Sequence, residues 1–199
     1  MKLPDIPHPA EALVLAKTPA TVLERLRPLR LMAFDVDGVL TDGRLWYGEH
    51  GEQLKSFHVL DGHGLKLLRE GGVSVALITG RESAILARRA AELGIPLLQQ
   101  GVRDKATAIT QLAQDQGLSL AEIGYMGDDI IDLAALQKVG FAATVPEAPA
   151  YISQVTHWVS TKAGGTGAVR ECCDLILAAQ GKLGGFLSPN ARPMTGVIQ

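Results

Sequence analysis

Cysteine is scarce in this chain, and the positions of the cysteines rule out a disulfide between distant parts of the fold. The 199 residues contain two cysteines, the neighbours Cys172 and Cys173. Adjacent thiols cannot cross-link distant elements, and two ligands do not complete a structural zinc site. We therefore expect both to pack as small, partly buried apolar side chains on a helix.

An excess of charge of one sign and long apolar runs are also missing. The 19 basic and 21 acidic residues give a formal net charge of −2, without a block of Lys or Arg typical of nucleic-acid binding. The apolar runs fall short of the ~18 residues expected of a membrane span. The first residues do not have the pattern of a signal peptide. These absences predict a cytoplasmic protein with no nucleic-acid partner and no membrane partner.

An alternation of strand-like and helix-like segments is present instead. Continuous apolar runs typical of buried parallel strands are separated by segments with apolar residues at helical spacing. The predicted strands are 29–36, 73–78, 123–126 and 140–145, and the predicted helices are 64–70, 82–93 and 105–116. This order predicts an α/β fold, a Rossmann-like open parallel sheet with helices on both faces.

The length is that of one domain with additions at its ends. We expect an N-terminal extension over residues 1–28, a main domain over 29–183 and a flexible, Gly- and Pro-rich tail over 184–199. Residues 43–59 interrupt the alternation and predict a projecting β-hairpin. It carries the side chains of Trp46, Tyr47, Leu54 and Phe57, which either pack on the main core or pair with another subunit. We favour pairing, because exposed apolar patches mark interfaces.

Acidic residues follow two of the predicted strands. Asp35 and Asp37 end the first strand, and Asp128 and Asp129 follow strand 123–126, with Asp132 one helical turn later. Ligands of open α/β sheets bind beyond the carboxyl ends of the strands, so these acids should converge. In an extended chain Asp35 and Asp37 would point the same way and repel, and Mg²⁺ would offset that repulsion. Taken alone, each pair is also explained by a solvated turn or a favourable helix start.

Two further segments offer groups that suit a phosphate. Thr79, Gly80 and Arg81 follow strand 73–78 with a hydroxyl, an accessible N–H and a guanidinium. A helix N-cap by Thr79 explains this segment equally well when it is considered alone. Lys105 begins a predicted helix against the macrodipole preference, and such local conflicts tend to occur at functional sites.

Taken together and in this order, the motifs DVDGVLTDG, ITGR, GVRDK and GDDIID resemble the haloacid dehalogenase (HAD) superfamily in a form without a cap domain. The stretches FHVLDGHGLKLL and AGGTGAVRECCDLILAAQGKL resemble its 3-deoxy-D-manno-octulosonate 8-phosphate (KDO 8-phosphate) phosphatases. The resemblance implies a HAD-like phosphatase that uses Mg²⁺ to hydrolyse a small phosphorylated sugar acid in lipopolysaccharide precursor synthesis. It also implies a homotetramer in which neighbouring subunits cover each site.

The resemblance implies roles for the acidic residues and the lysine. Asp35 would attack phosphorus and form an aspartyl-phosphate, and Asp37 would act as general acid and then base. The carboxylates of Asp35 and Asp128 and the backbone carbonyl of Asp37 would bind the metal. Lys105 would stabilise the phosphoryl group, and Asp129 would be a supporting acid.

The same resemblance places substrate-binding groups on the second motif and the helix after it. Thr79 and Gly80 would bind phosphoryl oxygens. Arg81 and Arg89 are candidates for the sugar carboxylate, because Arg binds a carboxylate with two hydrogen bonds. Arg89 is equally explained as part of a solvated helix face. Residues 163–167 would approach the site through backbone N–H groups, or would form a glycine-rich turn before a helix.

Three other functions are compatible with parts of this pattern. In the first, the chain would be a phosphatase of another sugar-acid phosphate, of the nonulosonate type. In the second the chain would be a non-catalytic oligomerisation module related to sugar-nucleotide synthetases, which the presence of Asp37 argues against. In the third it would be a phosphoaccepting receiver, which carries its acids in a different order along the sheet.

Overall fold

The computed structural model describes residues 8–187, and its centre is a parallel sheet. In chain order the strands are β1 Leu31–Phe34, β2 Trp46–Gly48, β3 Gly51–Leu54, β4 Ser74–Ile78, β5 Leu97–Gln99, β6 Ile123–Met126, β7 Phe141–Thr144 and β8 Trp158–Val159. Six of them form the sheet β5-β4-β1-β6-β7-β8, in which every neighbouring pair is parallel. The α/β fold predicted from the alternation is confirmed.

Helices cover both faces of this sheet. They are α1 Pro9–Ala16, α2 Ala20–Leu26, α3 Val59–Glu70, α4 Ala84–Glu92, α5 Lys105–Asp115, α6 Leu133–Leu136, α7 Ala150–Ser153, α8 Ala168–Ala179 and α9 Leu183–Leu187. Alternate residues of β1 point to opposite faces of the sheet and enter two separate apolar clusters. Met32 and Phe34 pack with residues of α3 and α8, and Leu31 and Ala33 pack with residues of α5. None of the helices in residues 8–187 has both the length and the apolar character needed to cross a bilayer.

The central strand β1 sets the position of the site. All of its residues are buried, and Phe34 lies beside Leu77 of β4 and Met126 of β6. Since the three strands are parallel and in this register, they end at the same edge of the sheet. The residues that follow them are therefore brought together there.

The predicted hairpin is also confirmed. Strands β2 and β3 pair antiparallel as a separate two-stranded sheet between β1 and α3, and no cap domain is inserted in this described stretch. The side chains of Trp46, Tyr47 and Leu54 are about half exposed. These three side chains are not part of the main core, whereas Phe57 packs against it, so the alternative holds for Phe57 alone.

Helix boundaries follow from local capping. Ser83 accepts a hydrogen bond from Leu86 N at 3.3 Å at the start of α4, and Asp104 accepts one from Thr107 N at 3.0 Å at the start of α5. Beyond the C-terminal end of α5, Gly117 has a φ of 62°, which side chains other than glycine rarely adopt.

Some elements differ from the sequence-based expectation. Strands β5 and β8 were not predicted, because three and two residues are too few to show a period. Helix α3 begins at Val59, five residues before the predicted start, since Gly62 and Gly64 interrupt the apolar pattern of its first turns. Cys172 and Cys173 lie on α8 as expected, but they are completely rather than partly buried.

The two ends of the described chain contact each other. Glu11 on α1 is buried and accepts hydrogen bonds from the backbone N–H groups of Leu183, at 3.1 Å, and Gly184, at 3.4 Å. Helix α9 thus extends across the predicted boundary at residue 184. The rest of the predicted tail, residues 188–199, and residues 1–7 of the predicted extension lie outside the described residues, and the domain boundaries stay a prediction.

Candidate active site

A buried ion pair forms the centre of the site. Asp35 directly follows β1 and is 4% exposed, and Lys105, the first residue of α5, is 1% exposed. Lys105 Nζ lies 2.8 Å from Asp35 Oδ2, and Asp35 Oδ1 accepts a hydrogen bond from Val36 N at 2.7 Å. These contacts fix the orientation of the carboxylate that the sequence analysis predicted to be the nucleophile.

Asp132 is a buried residue to which the sequence analysis gave no role. Its Oδ1 accepts hydrogen bonds from Lys105 Nζ at 2.6 Å and from the Tyr125 hydroxyl at 2.5 Å. Its Oδ2 accepts from the backbone N–H groups of Asp128 and Asp129, both at 3.1 Å. Each carboxylate oxygen therefore accepts two hydrogen bonds, and Asp132 orients both Lys105 and the loop that carries Asp128 and Asp129. An acid one helical turn after an Asp-Asp pair was the available signal.

The acidic cluster fits a divalent cation. Asp35, Asp128 and Asp132 each place a carboxylate oxygen within 4.8 Å of the other two. Asp128 Oδ1 is buried and has no hydrogen-bond partner, which is costly unless a further group binds it. Oxygen ligands of this kind are those that Mg²⁺ prefers. Because the Asp132 oxygens already have donors, the fit is best between Asp35 and Asp128.

A glycine makes room for the Asp128 carboxylate. Gly38 has a φ of 88°, and a Cβ at this position would overlap the carboxylate of Asp128. Glycine is the residue that adopts this backbone conformation without strain. The Asp-Gly pair of the first motif therefore allows the acids after β1 and β6 to approach each other.

The electrostatics of the cluster indicate an excess of negative charge. Burial, followed by the charge of Asp132, raises the pKa of Asp35 in spite of Lys105. Burial, followed by the charges of Asp35 and Asp132, raises the pKa of Asp128 to about 7. Burial alone would lower the pKa of Lys105, but the two neighbouring carboxylates outweigh it and raise this pKa. One ammonium does not offset three carboxylates, whereas a divalent cation would favour their ionised forms.

The second motif follows β4 at the same edge. Thr79 is buried, and its hydroxyl accepts a hydrogen bond from Arg81 N at 3.2 Å. Gly80 is exposed. The hydroxyl thus supports the turn after β4. It does not cap a helix, which was the alternative explanation, because the N-cap of α4 is Ser83.

Asp37 lies beyond the end of β1 and has cationic partners of its own. Its carboxylate contacts Lys55 Nζ, and its Oδ2 lies 3.7 Å from Arg81 Nε. The expectation that Asp35 and Asp37 point the same way assumed an extended chain, whereas β1 ends at Phe34. The two carboxylates instead have separate partners. Sequence reasoning missed Lys55, because only the folding back of the hairpin brings it to Asp37.

The side chains of Arg89 and Asp129 have partners other than Asp35. The Arg89 guanidinium lies over the Phe57 ring at 5.9 Å, and its Nη1 is 3.4 Å from Glu92 Oε2. Asp129 is exposed, and its side chain accepts a hydrogen bond from the next backbone N–H at 2.7 Å. Within residues 8–187, neither side chain forms an ion pair or hydrogen bond with Asp35.

The glycine-rich segment 163–167 packs against the loop that follows β1. Gly165 N donates a hydrogen bond to Val39 O at 3.0 Å. A Cβ at Gly165 would lie 2.5 Å from the carbonyl carbon of Thr41, and a Cβ at Gly164 would overlap the Gly38 carbonyl oxygen. The segment therefore contacts the loop after β1 through a backbone N–H group, and residues 164–167 also form the turn before α8, so the two alternatives do not exclude each other.

A buried carboxylate on α3 holds this glycine-rich segment. Asp61 is 1% exposed and accepts hydrogen bonds from Gly167 N at 3.2 Å and Arg170 N at 2.8 Å, at the start of α8. A carboxylate at a helix N-terminus stabilises the helix through its free N–H groups and its dipole. Asp61 thus fixes the position of the segment that backs the site.

Comparisons with known proteins agree with this geometry. A sequence profile described as haloacid dehalogenase-like hydrolase matches residues 95–171. The chain is 44% identical over 159 residues to 3-deoxy-D-manno-octulosonate 8-phosphate phosphatase KdsC of Haemophilus influenzae. This alignment covers 80% of this chain and 88% of the relative. The chain is also 42% identical over 164 residues to the protein of that name from Escherichia coli K12, and this alignment covers 82% of this chain and 87% of the relative.

A solved structure is similar over most of its length. The crystal structure of 3-deoxy-D-manno-octulosonate 8-phosphate phosphatase from Moraxella catarrhalis, in complex with magnesium ion, phosphate ion and KDO, has a TM-score of 0.82 and 43% sequence identity. The match covers 83% of this chain and 95% of that chain. The chain therefore belongs to the haloacid dehalogenase-like hydrolases, in the family of the 3-deoxy-D-manno-octulosonate 8-phosphate phosphatases.

Proposed function

We propose that this chain is a Mg²⁺-dependent phosphatase that hydrolyses KDO 8-phosphate to KDO and inorganic phosphate. The observation that carries the proposal is the buried Asp35–Lys105 pair, with the unpartnered Asp128 oxygen at the same edge of the sheet. A nucleophilic carboxylate, a cation beside it and oxygen ligands for a hard metal are the groups that phosphoryl transfer through an aspartyl-phosphate uses. The relatives named above support the choice of sugar acid.

The metal would be held by groups from two loops. These are the carboxylates of Asp35 and Asp128 and the backbone carbonyl of Asp37, with Asp129 beside them in the second loop. When bound, Mg²⁺ supplies positive charge that offsets the oxygens of the phosphoryl group.

The protein's own residues carry out the bond changes. Asp35 attacks phosphorus, the bond to the sugar oxygen breaks, and an aspartyl-phosphate forms. Asp37 donates a proton to the leaving oxygen. Asp37 then takes a proton from the water that attacks the aspartyl-phosphate, which releases phosphate and restores Asp35. Lys105 keeps the Asp35 carboxylate aimed and partly neutralises it.

Substrate binding is assigned to the edge formed by the second motif and α4. The Gly80 N–H and the Thr79 hydroxyl hold phosphoryl oxygens, in line with their position after β4. Arg81 lies beside the Asp37 carboxylate, and this position supports a role for its guanidinium in binding the sugar acid. Arg89 is a second candidate for the sugar carboxylate, although its present contacts are with Phe57 and Glu92.

Phosphate release from purified protein tests this function. With Mg²⁺, kcat/KM should be higher for KDO 8-phosphate than for a nonulosonate 9-phosphate, and a reversed preference would contradict the choice of sugar. Asp35→Asn should lower kcat on the order of 10⁴-fold or more with an unchanged circular dichroism spectrum. Substantial remaining turnover in this variant would remove Asp35 from its role.

We also propose that the hairpin assembles a homotetramer. Trp46, Tyr47 and Leu54 are 49%, 60% and 55% exposed, and apolar side chains grouped on a projecting element are typical of an interface. The double variant Trp46→Asp, Leu54→Asp should have a smaller mass by light scattering. An unchanged mass would contradict assembly through the hairpin.

A further inference from the structure

A buried lysine joins the base of the hairpin to Asp37. Lys55 directly follows β3, and its side chain is 2% exposed. Its Nζ contacts Asp37 Oδ1 and lies 3.2 Å from Glu52 Oε1. Since a buried ammonium is stable only with carboxylate partners, the position of Lys55 depends on both acids.

Glu52 is itself fixed by the start of α4 and by the second motif. Ser83 Oγ donates a hydrogen bond to Glu52 Oε2 at 2.5 Å, and Arg81 Nη2 lies 3.8 Å from Glu52 Oε1. Burial alone would raise the pKa of Glu52, but the hydrogen bonds from Ser83 and Lys55 outweigh it and lower this pKa. Glu52 is therefore a fixed anion that keeps the Lys55 ammonium in place.

Asp37 needs an external support of this kind. It lies past the end of β1, so the sheet does not fix its side chain, which is 20% exposed. Within residues 8–187, the ion-pair partners of its carboxylate are Lys55 and Arg81. Without Lys55, the carboxylate would be free to turn toward Arg81 or toward solvent.

We propose that Lys55 and Glu52 are positioning residues that hold the Asp37 carboxylate toward the leaving oxygen and tie this orientation to the hairpin. The proposal rests on the proposed function, because it assigns Asp37 the role of general acid. Lys55 acts on the reaction through Asp37, and Glu52 acts through Lys55. The hairpin proposed to form the subunit interface thereby also supports proton transfer.

The first test removes the two charges. Lys55→Met keeps an unbranched side chain, one atom shorter and without the charge. It should lower kcat on KDO 8-phosphate by about 10–100-fold, since a misplaced acid loses much of its contribution. KM should change less than about threefold. Glu52→Gln should have a smaller effect, because Lys55 still contacts Asp37. The double variant should be about as slow as Lys55→Met, because the two residues act in one chain of contacts.

The leaving group separates positioning from a general loss of structure. The aryl leaving group of p-nitrophenyl phosphate departs without a proton, so the first step on this substrate does not need the acid. In Lys55→Met, the pre-steady-state burst of p-nitrophenol should stay within about threefold of wild type, while the first step on the sugar phosphate slows. A purely structural role of Lys55 would slow both substrates.

Arg30→Met is the matched control. Arg30 forms an exposed ion pair with Glu122 at 3.8 Å, and it precedes β1 at the opposite edge of the sheet. Both substrates should be turned over by this variant at the wild-type rate. If Lys55→Met does not fold, the same comparison of leaving groups is made with Glu52→Gln.

The proposal is overturned if the folded variant keeps the wild-type kcat on the sugar phosphate, or if it loses both substrates to the same extent. A different result would contradict the proposed function, namely that the wild-type protein does not hydrolyse KDO 8-phosphate. The comparison of leaving groups then uses the sugar phosphate that the wild type hydrolyses fastest.

Discussion

Replacing Asp132 by asparagine tests the buried network beneath the site. Asp132 is completely buried, and four donors share its two oxygens. Asparagine has the same shape but one acceptor oxygen. If the NH₂ group faces the backbone N–H groups of Asp128 and Asp129, both lose their acceptor. If it faces Lys105 and Tyr125, the ammonium loses an acceptor, while the hydroxyl rotates and accepts from the NH₂ group.

The magnitude follows from these contacts. A buried donor without an acceptor costs about 1–3 kcal/mol, so two of them cost about 2–6 kcal/mol. Removing one partner of a buried ion pair costs about 3–5 kcal/mol. The remaining contact of Lys105 with Asp35 keeps the loss below the maximum of about 6 kcal/mol for two donors. We expect a loss of about 3–5 kcal/mol. At ~2–4 °C per kcal/mol for a chain of this size, Tm should fall by about 6–20 °C.

Thermal unfolding followed by circular dichroism measures this loss. The buffer should contain EDTA, because bound metal would stabilise the folded state and mask part of the effect. Asp129→Asn is the matched control for Tm, since it makes the same change at an exposed position of the same loop, where asparagine also caps a helix. A Tm for Asp132→Asn within about 2 °C of wild type would refute the network described here.

The remaining predictions concern the metal and the segments that support the loop after β1. EDTA should abolish phosphate release and Mg²⁺ should restore it, and full activity in EDTA would contradict the metal site. Gly164→Ala should lower kcat by about 100-fold in a phosphate-release assay, because its methyl group would displace the loop at Gly38. Gly185→Ala, where a Cβ meets no atom within 4 Å, should leave kcat unchanged, and an equal loss in both would contradict the steric argument. Asp61→Asn should lower the free energy of unfolding by about 1–3 kcal/mol, because one N–H at the start of α8 loses its acceptor, and a denaturant midpoint equal to wild type would contradict this.

The edge of the sheet at which the site lies could be predicted from the sequence. Asp35, Thr79 and Asp128 each follow an apolar run that forms a buried strand. Parallel strands bring their carboxyl ends to one edge, so local patterns were enough to place these residues together. Lys105 was found because a cation at a helix start conflicts with the helix dipole.

The contacts that orient these groups could not be predicted in the same way. Lys55 reaches Asp37 only because the hairpin folds back, and local periodicity does not report which buried carboxylate a lysine meets. The position of Asp132 after the acidic pair was visible in the sequence, but its orienting role was not, since its side-chain partners come from β6 and α5. The direction of Asp37 was predicted from the two-residue period of a strand, which no longer applies beyond Phe34.

Mass spectrometry of the protein quenched in acid during turnover of KDO 8-phosphate with Mg²⁺ addresses the nucleophile directly. We expect the peptide containing Asp35 to carry one phosphoryl group, with the modification on Asp35 and absent from Asp35→Asn. A phosphoryl group on any other residue, or continued turnover by Asp35→Asn, would contradict the mechanism.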